Sequence, residues 1–382
     1  MFFFFFECWF CIKLIIFTKK LFCGVRKVAL IFLVALLVVA CGGSDKKSEP
    51  VAAGAAQPQE KEPAAEAVWS PAPPKGVALT TCSIDTMDLS NPYILYESSS
   101  NSYYMVGDGG YMWTSRDMHT WEGPYNVLSQ DTASWLGKAP EVFSPEIHKY
   151  NGKYYYMATF RRGDCMVTDD AGKQFALQSC ATLVSSSITG PYKTIDSNSF
   201  LLNEREMAGH PTFCTDEMGV GYMIYNHLAQ HNGDGTVQIV RFTDDMGRRM
   251  GEAYIMFTAS QNNWSREVAG AAGFSPVMEA PFLFYTEKGR MGILFTTAIA
   301  GKRALGVAYS STGHLNGPWV IEPRPLMNDG TGSAMLFRDF DGALVMAVDK
   351  DTVIGGVAKR VPRLLKADTE FDNLEIKSYY KF

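Results

Sequence analysis

The chain has 382 residues, 47% of them hydrophobic and 13% aromatic, with a formal net charge of −5. This is ample material for a large core. Acids and bases are well mixed, so there is no basic patch and no nucleic acid is expected as a partner.

Residues 1–41 read as a leader. Arg26 and Lys27 precede an apolar run, Val28–Ala40, which ends at Cys41. A basic segment, a short apolar run and a small residue before the cut describe a secretory signal. Val38, Val39 and Ala40 before Cys41 resemble a bacterial lipobox, in which the cysteine is lipidated and becomes the first residue. The alternative, a membrane-spanning anchor, would need ~20 apolar residues, more than this run supplies. The preceding "MFFFFFECWFCIKLIIFTKKLFC" adds a second apolar run that a signal does not need, and it predicts a true start downstream of Met1. The expected location is the bacterial cell envelope, lipid-anchored to a membrane, periplasmic or surface-exposed.

Residues 42–77 are rich in Ala, Pro, Glu and Lys, as in "EPVAAGAAQPQEKEPAAEA". Such a segment buries too little apolar surface to offset its ordering entropy and is expected to be a disordered tether. Residues 78–382 form the remaining domain. It holds four cysteines, Cys82, Cys165, Cys180 and Cys214, whose spacings match no zinc pattern. In an exported protein Cys165 and Cys180, close in sequence, are the pair expected to bridge if one forms.

The domain repeats loosely. An aromatic, β-branched strand after a polar turn recurs as "SNSYYMVG", "YNGKYYYMATF", "MGVGYMIYNH", "EKGRMGILFTT" and "FDGALVMAV". Their Asn-Gly, Asp-Gly and neighbouring Gly signals mark hairpins. A second echo is "WEGPY", "ITGPY" and "LNGPW". No sustained helical periodicity follows the tether. Five units spaced at roughly 50 to 70 residues predict a repeat architecture, an all-β five-bladed β-propeller. An all-β sandwich is the alternative. In a propeller, polar residues at the starts of the innermost strands converge at one end of the axis and become the candidate site.

"SNPYILYESSSNSYYMVG", "FSPEIHKYNGKYYYMATF", "PTFCTDEMGVGYMIYNH", "VMEAPFLF" and "VAYSSTGHLNGPW", in this order, resemble glycoside hydrolase family 43. The resemblance implies a five-bladed propeller that trims arabinose, xylose or galactose residues from poly- or oligosaccharides, hydrolysing O-glycosyl bonds with inversion. Inverting chemistry uses a carboxylate base and a carboxylic acid about 6.5–9.5 Å apart, and a third carboxylate raises and orients the acid. Carried onto this chain, the acid position falls on Glu279 in "VMEAPFL", the base position on Asn91 in "LSNPY" and the modulating position on His210 in "AGHPTF". Two of the three catalytic acids are therefore replaced. Thr331 stands where the family often has a histidine near an axial metal. No cofactor is expected; an axial calcium ion is the one metal left open, and Thr331 argues against it.

Asp88 and Asp85 lie three and six residues before Asn91, too far along a strand to take its place. Glu146 in "FSPEIH" matches an acidic position of the family's second blade, suited to a sugar hydroxyl and conceivable as a base. Glu204, Glu206 and His210 are other conceivable bases without motif support. Trp135 and Trp264 fall in loops, where aromatic faces stack on sugars or simply pack; Trp113 and Trp121 belong to strand patterns and the core. Arg161 and Arg162 read as a solvated strand end. His227 and His231, at i, i+4 in strand and loop, are not expected to form a metal pair. Two functions stay open: a hydrolase with Glu279 as acid and a displaced base, or a non-catalytic glycan-binding propeller whose Asn91 and His210 hydrogen-bond hydroxyls.

Overall fold

The computed structural model describes residues 69–129, 134–168, 172–196, 202, 207–227, 233–268 and 277–382. Residues 67–382 make one compact unit. Cys41, Glu204, Glu206 and His231 lie outside the described residues.

Blade one contains β1 (Thr80–Ser83), β2 (Tyr93–Glu97), β3 (Ser102–Val106), β4 (Met112–Ser115) and β5 (Thr120–Tyr125), in sheet order β1-β5-β4-β3-β2. Blade two is β6 (Glu141–Tyr150), β7 (Lys153–Thr168), β8 (Gln174–Ser185) and β9 (Lys193–Thr194). Blade three is β10 (Ala208–Thr215), β11 (Gly221–His227), β12 (Thr236–Phe242) and β13 (Arg249–Thr258). A short helix α1 (Asn263–Val268) precedes blade four, which is β14 (Glu279–Tyr285), β15 (Met291–Ile299), β16 (Lys302–Ser310) and β17 (Trp319–Ile321). Blade five is β18 (Thr331–Arg338), β19 (Leu344–Ile354), β20 (Val357–Asp368) and β21 (Glu375–Tyr379). Five antiparallel sheets arranged radially make the five-bladed β-propeller that the repeats predict.

The five hairpin motifs become the first turn and second strand of each blade. Those second strands are buried on both faces, because neighbouring blades pack from either side. In β7 the run Tyr154–Phe160 is buried without interruption, which is why the motif shows no polar alternation. The three Gly-Pro echoes are cis peptide bonds at Pro124, Pro191 and Pro318.

Each blade is built from consecutive strands, so blade five meets blade one without exchanging a strand. Closure falls to cross-blade hydrogen bonds. Leu89 N–H donates to the Arg360 carbonyl at 2.9 Å, Arg360 N–H to Asp88 Oδ1 at 3.3 Å, and Phe340 N–H to the Tyr103 hydroxyl at 2.9 Å.

Three expectations need correction. Cys165 and Cys180 are not bridged; all four domain cysteines are free thiols. Cys180 sits opposite Thr159, while Cys165 lies where the β7–β8 register shifts between Arg162 and Met166, so the hairpin keeps the two apart. Trp264 lies on α1, only 6% exposed. It stacks on Phe295 with centroids 6.4 Å apart, and its indole N–H donates to the Glu322 carbonyl at 3.0 Å. It is core, as is Trp121. Finally, contacts with the propeller begin within the stretch assigned to the tether: Trp69 Nε1 donates to the Thr189 carbonyl at 3.2 Å, and Ala72 bridges to Asn126.

Candidate functional site

One residue near the start of each innermost strand adopts a left-handed backbone. These are Asn91 (φ 52°), Ser144 (46°), His210 (48°), Ala280 (47°) and Ser333 (51°). Four of the five precede a proline: Pro92, Pro145, Pro211 and Pro281. Proline offers no N–H to the ladder, and the pairing with the second strand skips at this point in blades two to five, between Phe143 and Glu146, Gly209 and Thr212, Glu279 and Phe282, and Gly332 and Met335. Left-handed conformation costs a non-glycine residue about 1–3 kcal/mol and clusters where a site needs it.

All five residues converge at one end of the propeller axis, where they line one pocket. The strain is offset by a repeated cross-blade bond. A polar residue on the second strand of one blade, or just past its end, accepts the N–H of the left-handed residue in the next. Asp108 Oδ1 accepts Ser144 N–H at 2.8 Å, Thr159 Oγ1 accepts His210 N–H at 2.8 Å, and Thr296 Oγ1 accepts Ser333 N–H at 2.8 Å. Asp349 Oδ2 accepts Asn91 N–H at 2.9 Å, closing the ring from blade five to blade one.

Asn91 is fixed through its side chain as well. Ser333 Oγ donates to Asn91 Oδ1 at 2.6 Å, and Asn91 Nδ2 donates to Asp108 Oδ1 at 2.8 Å. Behind them lies Arg303, whose Nη2 donates to Asp349 Oδ1 at 2.5 Å and to Ser333 Oγ at 3.0 Å. Burial pushes the Asp349 carboxyl up from its ordinary value, while the Arg303 guanidinium and the Asn91 N–H act against it. Gly332 makes room for this cation: a Cβ there would lie 2.0 Å from Arg303 Nη2.

His210 Nδ1 donates to Asn226 Oδ1 at 2.8 Å, which leaves Nε2 for a ligand. Glu146 is the one carboxylate among the pocket-lining residues. Its Oε2 accepts from His148 Nε2 at 2.6 Å, and His148 Nδ1 is 3.3 Å from the Tyr93 hydroxyl. Burial first, and the Glu146 charge second, push the Tyr93 phenol well above its ordinary value. Tyr93 therefore keeps its proton and donates, which leaves His148 Nε2–H to hold Glu146 in one orientation.

Glu279 opens β14 opposite Thr296, at the register position held by Phe143, Gly209 and Gly332 in the other blades. It directly precedes Ala280, which lines the pocket. Its carboxylate has no hydrogen bond among the described residues and is half-buried. Trp135 packs edge-on against Phe160 at 6.3 Å, and its carbonyl accepts from Arg162 at 3.0 Å. Neither Trp135 nor Trp264 lines the pocket. Arg161 pairs with Glu141. Asp85 and Asp88 are turned to Arg363, His119 and the Arg360 backbone. Thr331 Oγ1 donates to Asp329 at 2.6 Å. Among the described residues no cluster of three or more His, Cys, Asp or Glu is placed to hold a metal ion.

The sequence therefore locates Asn91, Glu146 and His210 at the pocket. It misses Asp108, Arg303, Ser333 and Asp349, although Asp108 and Asp349 end two of the five repeat motifs, in "YYMVGD" and "LVMAVD".

Fold and pocket together define a five-bladed β-propeller with an axial pocket that carries a few polar groups, a glycosidase-like architecture. The sequence profile of Glycosyl hydrolases family 43 matches residues 83–354, and the chain belongs to that family. Similar solved structures include an endo-arabinase from Bacteroides thetaiotaomicron VPI-5482, with 23% identity and a TM-score of 0.62, over 74% of this chain and 95% of that one. An endo-1,4-beta-xylanase from the same organism has 17% identity and a TM-score of 0.59, over 79% and 97%. An exo-1,5-alpha-L-arabinanase from a bovine ruminal metagenomic library has 16% identity and a TM-score of 0.55, over 77% and 98%. At these identities the likeness is one of fold. No curated protein sequence matches the chain.

Proposed function

We propose that this protein is a lipid-anchored envelope protein, attached through Cys41, whose axial pocket holds a sugar residue of an arabinose-, xylose- or galactose-containing saccharide without hydrolysing it by the family's usual route. The observation that carries the proposal is the state of Asn91. At the base position an amide is clamped between Ser333 and Asp108, and an amide takes no proton from water. Loss of a base costs about 10²–10⁴-fold in rate, so Glu279 acting alone as acid gives feeble chemistry. Glu146, His210 Nε2 and the remaining amide valences of Asn91 offer a sugar hydroxyls to bond. A second reading, an inverting hydrolase of O-glycosyl bonds with Glu146 as displaced base, is favoured by the His148–Tyr93 support that fixes this carboxylate.

The test measures sugar release and binding together on arabinan, xylan and galactan oligosaccharides, for the wild type, Glu146→Gln and Glu279→Gln. Saturable binding without release is expected, weakened about 10- to 100-fold by Glu146→Gln through loss of a charged hydrogen bond. Turnover that either substitution abolishes would replace the binding reading with the hydrolase.

A further inference from the structure

We propose that Asp108 sets the polarity of the pocket floor, so that residues 91 and 108 form one unit in which only one of the two can be a carboxylate. The inference rests on the reading of this pocket as the sugar site, but its core is a hydrogen-bond argument that stands apart from any ligand.

A directional chain crosses the floor. Arg303 Nη2 donates to Ser333 Oγ at 3.0 Å, Ser333 Oγ donates to Asn91 Oδ1 at 2.6 Å, and Asn91 Nδ2 donates to Asp108 Oδ1 at 2.8 Å. Both ends fix the direction. A guanidinium can only donate and a carboxylate can only accept, so the hydroxyl and the amide between them have one orientation each. Asp108 is itself held in place by the Ser144 N–H, at 2.8 Å on the same oxygen.

Two consequences follow. The Asn91 amide keeps one N–H and one oxygen lone pair beyond these bonds, a donor and an acceptor that suit a hydroxyl group. It is a positioned binding group whose polarity Asp108 determines. The second consequence concerns repair of the site. Asn91→Asp places an oxygen where an N–H now meets Asp108. Two carboxylate oxygens at hydrogen-bond distance cannot both stay charged and must share a proton. One carboxyl of the pair is then held protonated, so the single substitution adds no charge and the shared proton occupies the oxygen that would activate water. The transposed pair Asn91→Asp with Asp108→Asn leaves a single carboxyl and so nothing to share a proton with. Asp108 Oδ1 receives both the Asn91 amide and the Ser144 N–H, and an amide at 108 cannot donate and accept at that one position, so the transposed pair removes the like charge without restoring both hydrogen bonds.

The experiment follows thermal unfolding of the wild type, Asn91→Asp and the double variant Asn91→Asp/Asp108→Asn from neutral pH to about pH 4.5. The single variant is expected to melt several degrees below wild type at neutral pH. The shared proton is bound in the folded state at a pH where the unfolded carboxyls are still charged, so the deficit is present at neutral pH and shrinks as pH falls toward the unfolded carboxyl value. The double variant, with one carboxyl of the pair left, is expected to lose that pH dependence. A deficit in Asn91→Asp that ignores pH, or one that shrinks equally in the double variant, overturns the coupling. Release of sugar from the arabinan, xylan and galactan oligosaccharides is expected from the double variant and not from the single one at neutral pH. If the stability coupling appears while no saccharide binds any variant, the coupling stands and the sugar reading falls.

Discussion

Glu97 offers a measurement of how blades one and two are held together at the end of β2 remote from Asn91. Its side chain is only 6% exposed, yet its carboxyl is held down from 4.5 to about 2. The first cause is the Tyr154 hydroxyl, which donates to Oε2 at 2.5 Å. Lys149 Nζ at 3.1 Å and the Ser99 N–H and hydroxyl add to it, and burial works the other way. A carboxyl held that far down contributes about 3 kcal/mol at neutral pH, at about 1.4 kcal/mol for each pH unit. Because the folded-state value lies below the unfolded one, this contribution is complete above about pH 4.5 and disappears as pH falls toward 2. Glu97→Gln keeps the shape and removes the charge. It is expected to lower the unfolding free energy by up to about 3 kcal/mol at pH 7, read from urea unfolding midpoints. Repeated at falling pH, the gap between wild type and variant must close. A gap at pH 7 below about 1 kcal/mol, the worth of an ordinary neutral hydrogen bond, or one that widens in acid, refutes the reasoning.

Two further outcomes are expected. Asp349→Ala leaves the mostly buried Arg303 with Asp351 at 3.4 Å as its remaining carboxylate and orphans the Asn91 N–H. Breaking a buried pair in this way costs about 3–5 kcal/mol, and a drop in unfolding free energy below about 1 kcal/mol would show that the blade-five closure does not depend on it. In native thiol labelling mapped by peptide mass, Cys180 and Cys214 should stay unmodified until denaturant is added, because burial raises both thiols well above their ordinary range. Half-buried Cys165 should react in the native state, with Cys82 slower because burial raises its thiol too. Early labelling of Cys180 would contradict the packing of β8.

The repeat was legible in the chain because hairpins are local. A polar turn, a glycine and an aromatic strand lie within a dozen residues, and five copies of that pattern define the propeller before any long-range contact is known. The same locality exposed Asn91, Glu146 and His210, since each sits one step from a proline or at a fixed offset in its repeat. Side-chain environments were less legible. Trp264 looks like a loop aromatic from its neighbours "NNWSRE", and only the packing of α1 on Phe295 makes it core. Cys165 and Cys180 look paired by spacing, and only the strand register separates them.

The sequence by itself determined the fold, the family and three of the polar groups at the pocket, Asn91, Glu146 and His210. The tertiary structure alone decided what those groups are bonded to. Asp349 reaches Asn91 across 258 residues, and Ser333 reaches it across 242. Such partners carry no local pattern, because they are brought together by the angle at which one finished blade packs on the next. That packing turned an apparent lesion at Asn91 into one link of a chain running from Arg303 to Asp108.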